Sequence, residues 1–304
     1  MVLARSRQIT AGADARRGCL NIGETRQPTA CLTDLRHRSS AGCPCLMINE
    51  TGQAPTVEGS PPPEGADPWT RQRRGFGAGL DVLVPAHRVV LALPDIATLR
   101  QRSQALATLD AIMSPDWESR YFSFDSRCGP QEEMAAMRNG PGDAYSIVFS
   151  YAGVFIRGFD HESVMSPYRS GRVWPGLIDS VPDVFASSLN EPAFSHKDGV
   201  LEATVCLWRQ HGADRWHTGD LELPDGDDPD GADWMFETLL DGTGVSYQRF
   251  AEDYYETAVS IDAVVAIFAL GPLTDELVQH LNPDVSVADL ADDLAEIGYP
   301  PAHE

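Results

Sequence analysis

Lysine is almost missing from this chain: Lys197 is the only one in 304 residues, against twenty-two arginines, a bias that fits a GC-rich genome. Basic side chains of either kind all but vanish after residue 219. Residues 220–304 hold a single one, Arg249, against twenty-one acids. A segment so charged repels phosphate backbones and anionic headgroups, which argues against nucleic-acid and membrane-surface binding. No run reaches the roughly 18 apolar residues of a transmembrane helix, and the N-terminus lacks the apolar core of a secretory signal. Cysteine is scarce where the chain looks folded. Four of the six (Cys19, Cys31, Cys43, Cys45) fall within the first fifty residues, leaving Cys128 and Cys206. Two are too few for a disulfide framework, so a reducing cytoplasm is the expected location. The G-x-S-x-G, P-loop, H-E-x-x-H and Rossmann glycine signatures are all absent, and no cofactor is expected.

What is present is distributed unevenly. The net charge of −22 divides into +3 over residues 1–90, −5 over 91–219 and −20 over 220–304. Residues 1–90 carry eleven arginines, a Pro/Gly-rich run (Glu58-Gly-Ser-Pro-Pro-Pro-Glu-Gly65) and no sustained period of 3.6 or 2. Such a segment buries too little apolar surface to offset its chain entropy. Residues 1–90 are therefore expected to be a disordered leader, explained by a start assigned too far upstream. Residues 91–304 are expected to form one acidic domain.

Within that domain, Ile96, Leu99, Leu106, Leu109, Ile112 and Met113 recur at helical spacing up to Ser114-Pro115, which predicts an N-terminal helix. Trp117 to Phe124 reads as strand. Asp143 to Phe159 reads as a hairpin turning at Ala152-Gly153, and Leu201–Arg209 pairs with Arg215–Leu223 as a second hairpin. Asp230, Ser260, Thr274 and Ser286 each stand where a helix N-cap belongs, the first of these helices running through Leu240. Strands followed by helices predict an α+β fold: an antiparallel sheet of about five strands, one N-terminal helix and a C-terminal cluster of four or five helices.

Two polar segments are candidate sites. Arg157-Gly-Phe-Asp160-His161-Glu162-Ser163 ends a strand, where scaffolds present reactive side chains. Asp160, His161 and Glu162 there have the residue types of a hydrolase's acid–base group. On an extended chain, however, successive side chains alternate, so His161 is expected to face away from both carboxylates. The stretch Asp225 to Glu237 approaches a calcium loop but has Gly226 at the first ligand position, so a turn and helix cap explains it better. No metal ligand is assigned. The terminal acids Asp275, Glu276, Asp292 and Asp293, with Arg157 and the loop residue Trp174, are the candidate contacts for a basic protein partner.

Arg138-Asn-Gly-Pro-Gly-Asp143, Gly158-Phe-Asp-His-Glu-Ser163, Trp174-Pro-Gly176, Glu191-Pro-Ala-Phe194, Asp253-Tyr-Tyr-Glu256, Leu281-Asn-Pro283 and Glu296-Ile-Gly-Tyr-Pro300 together resemble a family of uncharacterised bacterial cytosolic proteins. The likeness spans about residues 91–301 and implies a domain boundary, with no residue roles attached. By architecture and charge alone the domain is also similar to antitoxin and immunity proteins. The leading functional expectation is a non-catalytic acidic protein that binds a basic partner. The alternative is a hydrolase with a carboxylate/His cleft around residues 157–163.

Overall fold

The computed structural model describes residues 85–196 and 198–300. Expectations for residues 1–84, the leader cysteines among them, fall outside the described residues. Helix α1, Pro85–Ala92, begins six residues before the boundary expected at Leu91. Its Ala86 and Val89 are buried in the core at 3% and 0% exposure, so the folded unit includes the end of the presumed leader. Helix α2 runs over Ile96–Met113, where the apolar spacing placed it. The Asp95 carboxylate accepts the Thr98 N–H at 2.9 Å as its N-cap, and Leu99, Leu106, Leu109 and Ile112 are at most 1% exposed.

A six-stranded antiparallel sheet follows, each strand pairing with its neighbour in sequence. The strands are β1 Phe122–Gly129, β2 Glu132–Arg138, β3 Ala144–Ser150, β4 Gly153–Phe159, β5 Val205–Gln210 and β6 His217–Thr218. The α+β class holds, with one strand more than expected. That strand is β2, whose Glu-Glu-Met-Ala-Ala-Met composition favours helix in isolation; pairing on both sides, with β1 and β3, overrides it. Trp117 lies outside β1, in a single 3₁₀ turn over Trp117–Ser119, with the Arg138 guanidinium 4.1 Å from its ring centre. The β3–β4 turn is Tyr151-Ala152, one residue earlier than expected, with Ser150 opposite Gly153. At Gly153 φ is +135°, and a Cβ there would lie 2.2 Å from the Arg209 carbonyl oxygen, so the turn requires glycine.

The sheet is covered on both faces, and β4 is buried along its whole length. On one face Phe122, Phe124, Tyr145, Ile147, Ile156 and Leu207 pack with α2 and the C-terminal helices. On the other, Val148, Phe155, Cys206 and Trp208 lie beneath Leu177, Phe185, Phe194 and Leu201. The long connection between β4 and β5 is therefore a packed layer. Cys206 is a buried free thiol, whereas Cys128 is disulfide-bonded, a pairing that two cysteines in the expected domain did not suggest.

The C-terminal region comprises short helical segments. After Pro167–Ser170 (α3) and Ala186–Leu189 (α4) in the long connection come α5 Ala232–Met235, α6 Glu237–Leu240, α7 Val245–Tyr254, α8 Ile261–Phe268, α9 Asp275–Gln279 and α10 Ala291–Ile297. The helix expected to run unbroken to Leu240 divides at Phe236, which is fully buried against Tyr145 at 5.5 Å. Ser260 and Thr274 cap α8 and α9 as expected. Ser286 and Asp289 form the anticipated reciprocal capping bonds, but helical geometry starts only at Ala291.

Candidate functional site

A polar buried corner lies at the open end of the β3–β4 hairpin. Ala144 is paired with Phe159, so one step further out Asp143 comes opposite Asp160. Asp143 closes a tight turn in which its N–H and carboxylate bond to Asn139: Asn139 Oδ1 accepts the Asp143 N–H, and Asn139 Nδ2 donates to Asp143 Oδ2, both at 2.8 Å. Asp160 begins a second turn, its Oδ1 accepting the N–H groups of Glu162 and Ser163 at 3.0 Å each. The two carboxylate residues are 1% and 2% exposed.

Because the strand ends at Phe159, the alternation rule expected for Asp160 and His161 does not apply. The chain turns, and His161 swings onto the same side. Its Nδ1 lies 2.6 Å from Asp143 Oδ1, and the same oxygen accepts its backbone N–H at 2.8 Å. Its side chain keeps 27% exposure. One donor atom from each of Asp143, Asp160 and His161 lies within 4.8 Å of the others. Asp143 was missed because Asn139–Asp143 reads as a plain turn; only a correct hairpin register reveals it. Glu162, the third residue of the proposed acid–base group, is exposed and does not join the cluster.

A second loop, residues 228–234, buttresses the first. Trp234 Nε1 donates to Asp160 Oδ2 at 3.1 Å, Ser163 Oγ to the Pro229 carbonyl at 2.6 Å, and Thr204 Oγ1 to the Asp230 carbonyl at 2.7 Å. Gly231 sits in the left-handed region at φ +78°, where a Cβ would come 2.7 Å from the Asp160 side chain. The near-calcium segment is thus a capping turn. Asp228 accepts the Asp233 and Trp234 N–H groups, and Asp230 accepts those of Ala232 and Ala86. Burial raises both carboxyls, Asp228 further because Asp230 and Asp233 stand beside it. The pair therefore holds a proton well above the usual carboxylate range.

The remaining candidates are scattered. Arg157 is only 5% exposed. Its guanidinium lies over the Phe194 ring at 4.9 Å and donates to the Glu202 carbonyl at 2.9 Å, and burial pulls its pKa down to about 10. A partner cannot reach it, which corrects its assignment as a contact. Trp174 packs on the second core, with its indole N–H donating to the Glu222 carbonyl at 3.0 Å; it anchors its own loop. Asp275, Glu276 and Asp292 are exposed. Asp293 instead grips the buried Arg120 through both oxygens, at 2.6 and 3.1 Å.

These features define an α+β protein with a two-faced antiparallel meander and a buried Asp/His corner. No family model, curated protein or solved structure matches the chain. The functional reading therefore rests on geometry.

Proposed function

We propose that the protein is a non-catalytic binding protein that engages a basic protein partner through its acidic C-terminal face, in the manner of an immunity protein or antitoxin. The observation carrying this reading is exposure. Fourteen of the twenty acids between Asp220 and Pro300 are exposed, and the single base among them is Arg249. Among the described residues, Arg88–Asp233 and Arg120–Asp293 pair arginines from earlier in the chain with partly buried acids. Such a field raises encounter rates with a basic partner by ~10–10³-fold and fades with salt.

The hydrolase alternative is less well supported. Asp160 is committed to bonds within its own turn and to Trp234. Two depressions among the described residues, of about 10 and 50 Å³, are lined by neither Asp160, His161 nor Glu162. Catalytic sites ordinarily occupy larger concavities.

The test is capture from a native lysate, identification by mass spectrometry, and on-rates measured for the identified partner at two salt concentrations. Asp275→Lys, Glu276→Lys and Asp292→Lys together should slow association about tenfold or more at low salt, whereas Asp179→Lys with Asp183→Lys, exposed on the loop layer, should not. Equal on-rates for the two sets would refute the reading. Asp293 stays untouched, because it holds Arg120.

A further inference from the structure

We propose that helix α1 is a pH-sensitive clasp, docked over the buried turn that carries Asp228, Asp230 and Asp233 and released from it as pH rises. This reading is independent of the acidic outer face. Packing is the first ground. Among the described side chains of this eight-residue helix, only Ala86 and Val89 are buried, with Leu93 just beyond them, while Leu91 is 72% exposed. Two inward polar atoms, His87 Nδ1 and Arg88 Nε, are buried without a hydrogen-bond partner, which weakens the docked state. Short elements with few apolar anchors are the ones that open locally while the rest of a fold stays closed.

What α1 covers is the second ground. Its first turn lies on the carboxyls themselves: the Ala86 N–H donates to Asp230 Oδ2 at 3.2 Å, and Arg88 pairs with Asp233. Asp230 is 1% exposed. Asp228 and Asp230 stand close enough to share a proton, and Asp160 faces the same turn from the end of β4, against Gly231. One guanidinium thus meets a group of carboxyls that resists full ionisation while the helix seals it from water. Detaching α1 opens Asp230 to solvent, where its charge costs far less.

The direction of the response follows. Burial raises both carboxyls of the pair, and Asp233 as well, against the pull of Arg88. The docked form therefore binds protons more tightly than the open form. Docking is fully favoured at low pH and weakens as pH rises through about 6 to 8, where the pair gives up its proton. Each pH unit over which the docked pair holds a proton that the open pair would release multiplies the opening equilibrium about tenfold.

Hydrogen exchange of the full chain, followed by mass spectrometry and corrected for the pH dependence of the exchange chemistry itself, tests this at pH 6 and pH 8.5. Protection of the α1 segment, for example the Leu93 N–H bonded to the Val89 carbonyl at 2.8 Å, should fall by about tenfold or more relative to α2. Asp228→Asn, whose amide replaces the shared proton by a permanent donor, should flatten the response. Arg88→Gln, which leaves the turn itself intact, should raise opening more at pH 8.5 than at pH 6, because the wild-type guanidinium offsets more negative charge there. Protection that falls equally in α1 and α2, or does not fall in α1, would overturn the proposal. So would an undiminished response in folded Asp228→Asn, an equal effect of Arg88→Gln at both pH values, or a response that His87→Gln abolishes.

Discussion

Replacing Asp110 by asparagine should make the protein more stable at neutral and alkaline pH, and by an amount that depends on pH in a calculable way. Asp110 lies in α2 at 0% exposure. Its Oδ2 accepts the N–H groups of Tyr121 and Phe122 at 2.7 and 2.9 Å, and its Oδ1 accepts the Tyr247 hydroxyl at 2.9 Å. Those donors favour the ionised form, but burial outweighs them and raises the carboxyl from 3.8 to about 6. The folded pKa exceeds the unfolded one, so the contribution to stability is fully present below pH 3.8 and is lost as pH rises through about 6. At roughly 1.36 kcal/mol per unit, ionisation costs the fold about 3 kcal/mol by pH 8, of which about 2 kcal/mol is lost between pH 4.5 and 8.

The asparagine of an Asp110→Asn variant can retain the geometry. Its oxygen accepts the two backbone N–H groups, and its amide nitrogen donates to the Tyr247 hydroxyl, which rotates its own proton away. Urea unfolding of wild type and Asp110→Asn at pH 4.5 and pH 8, at fixed ionic strength, gives a double difference in which every other titration cancels. The variant should gain about 2 kcal/mol on the wild type between the two pH values. A double difference within about 0.5 kcal/mol of zero would show that burial does not perturb this carboxyl.

A chain beginning at Leu91 should lose about 2–4 kcal/mol in urea unfolding relative to one beginning at Pro85, because Val89 leaves the core and Asp230 loses the Ala86 N–H. Equal midpoints and slopes for the two chains would place α1 outside the cooperative unit. Gly231→Ala should cost about 2–4 kcal/mol, combining a left-handed backbone with collision against Asp160. A thermal midpoint unchanged within about 1–2 °C, for a domain in which 1 kcal/mol shifts it by about 2–4 °C, would mean the loop relaxes freely.

Helices were legible in the sequence at Ser260 with α8 and Thr274 with α9, where a cap and an apolar period coincided. Periodicity was silent about β2, because its strand state is imposed by partners on both sides. The polar corner shows how a small local error hides a site. Placing the β3–β4 turn at Ala152-Gly153 instead of Tyr151-Ala152 shifts the strand register by two residues, which sets Tyr145, in place of Asp143, across from Asp160. The convergence of Asp160 and His161 was hidden for a related reason. Alternation describes a strand, and the strand has already ended. Exposure of the terminal acids followed directly from amphipathic spacing, whereas the Arg120–Asp293 pair joins residues 173 positions apart and no local pattern encodes it.

The meander also orders the molecule in time. Strands β1 to β4 lie within residues 122–159, joined by connections of a few residues, whereas β5 must cross a 45-residue excursion, 160–204, before it can pair with β4. Closing that loop carries an entropy cost which the short hairpins avoid, so the four-strand sheet assembles from local encounters and β5 arrives later. Asp143, Asp160 and His161 all belong to the early unit or its immediate edge. Thr204, Asp230 and Trp234, which hold the corner closed, belong to the late one. Asp143, Asp160 and His161 are thus gathered while the corner is still open to water, and the later chain closes over them.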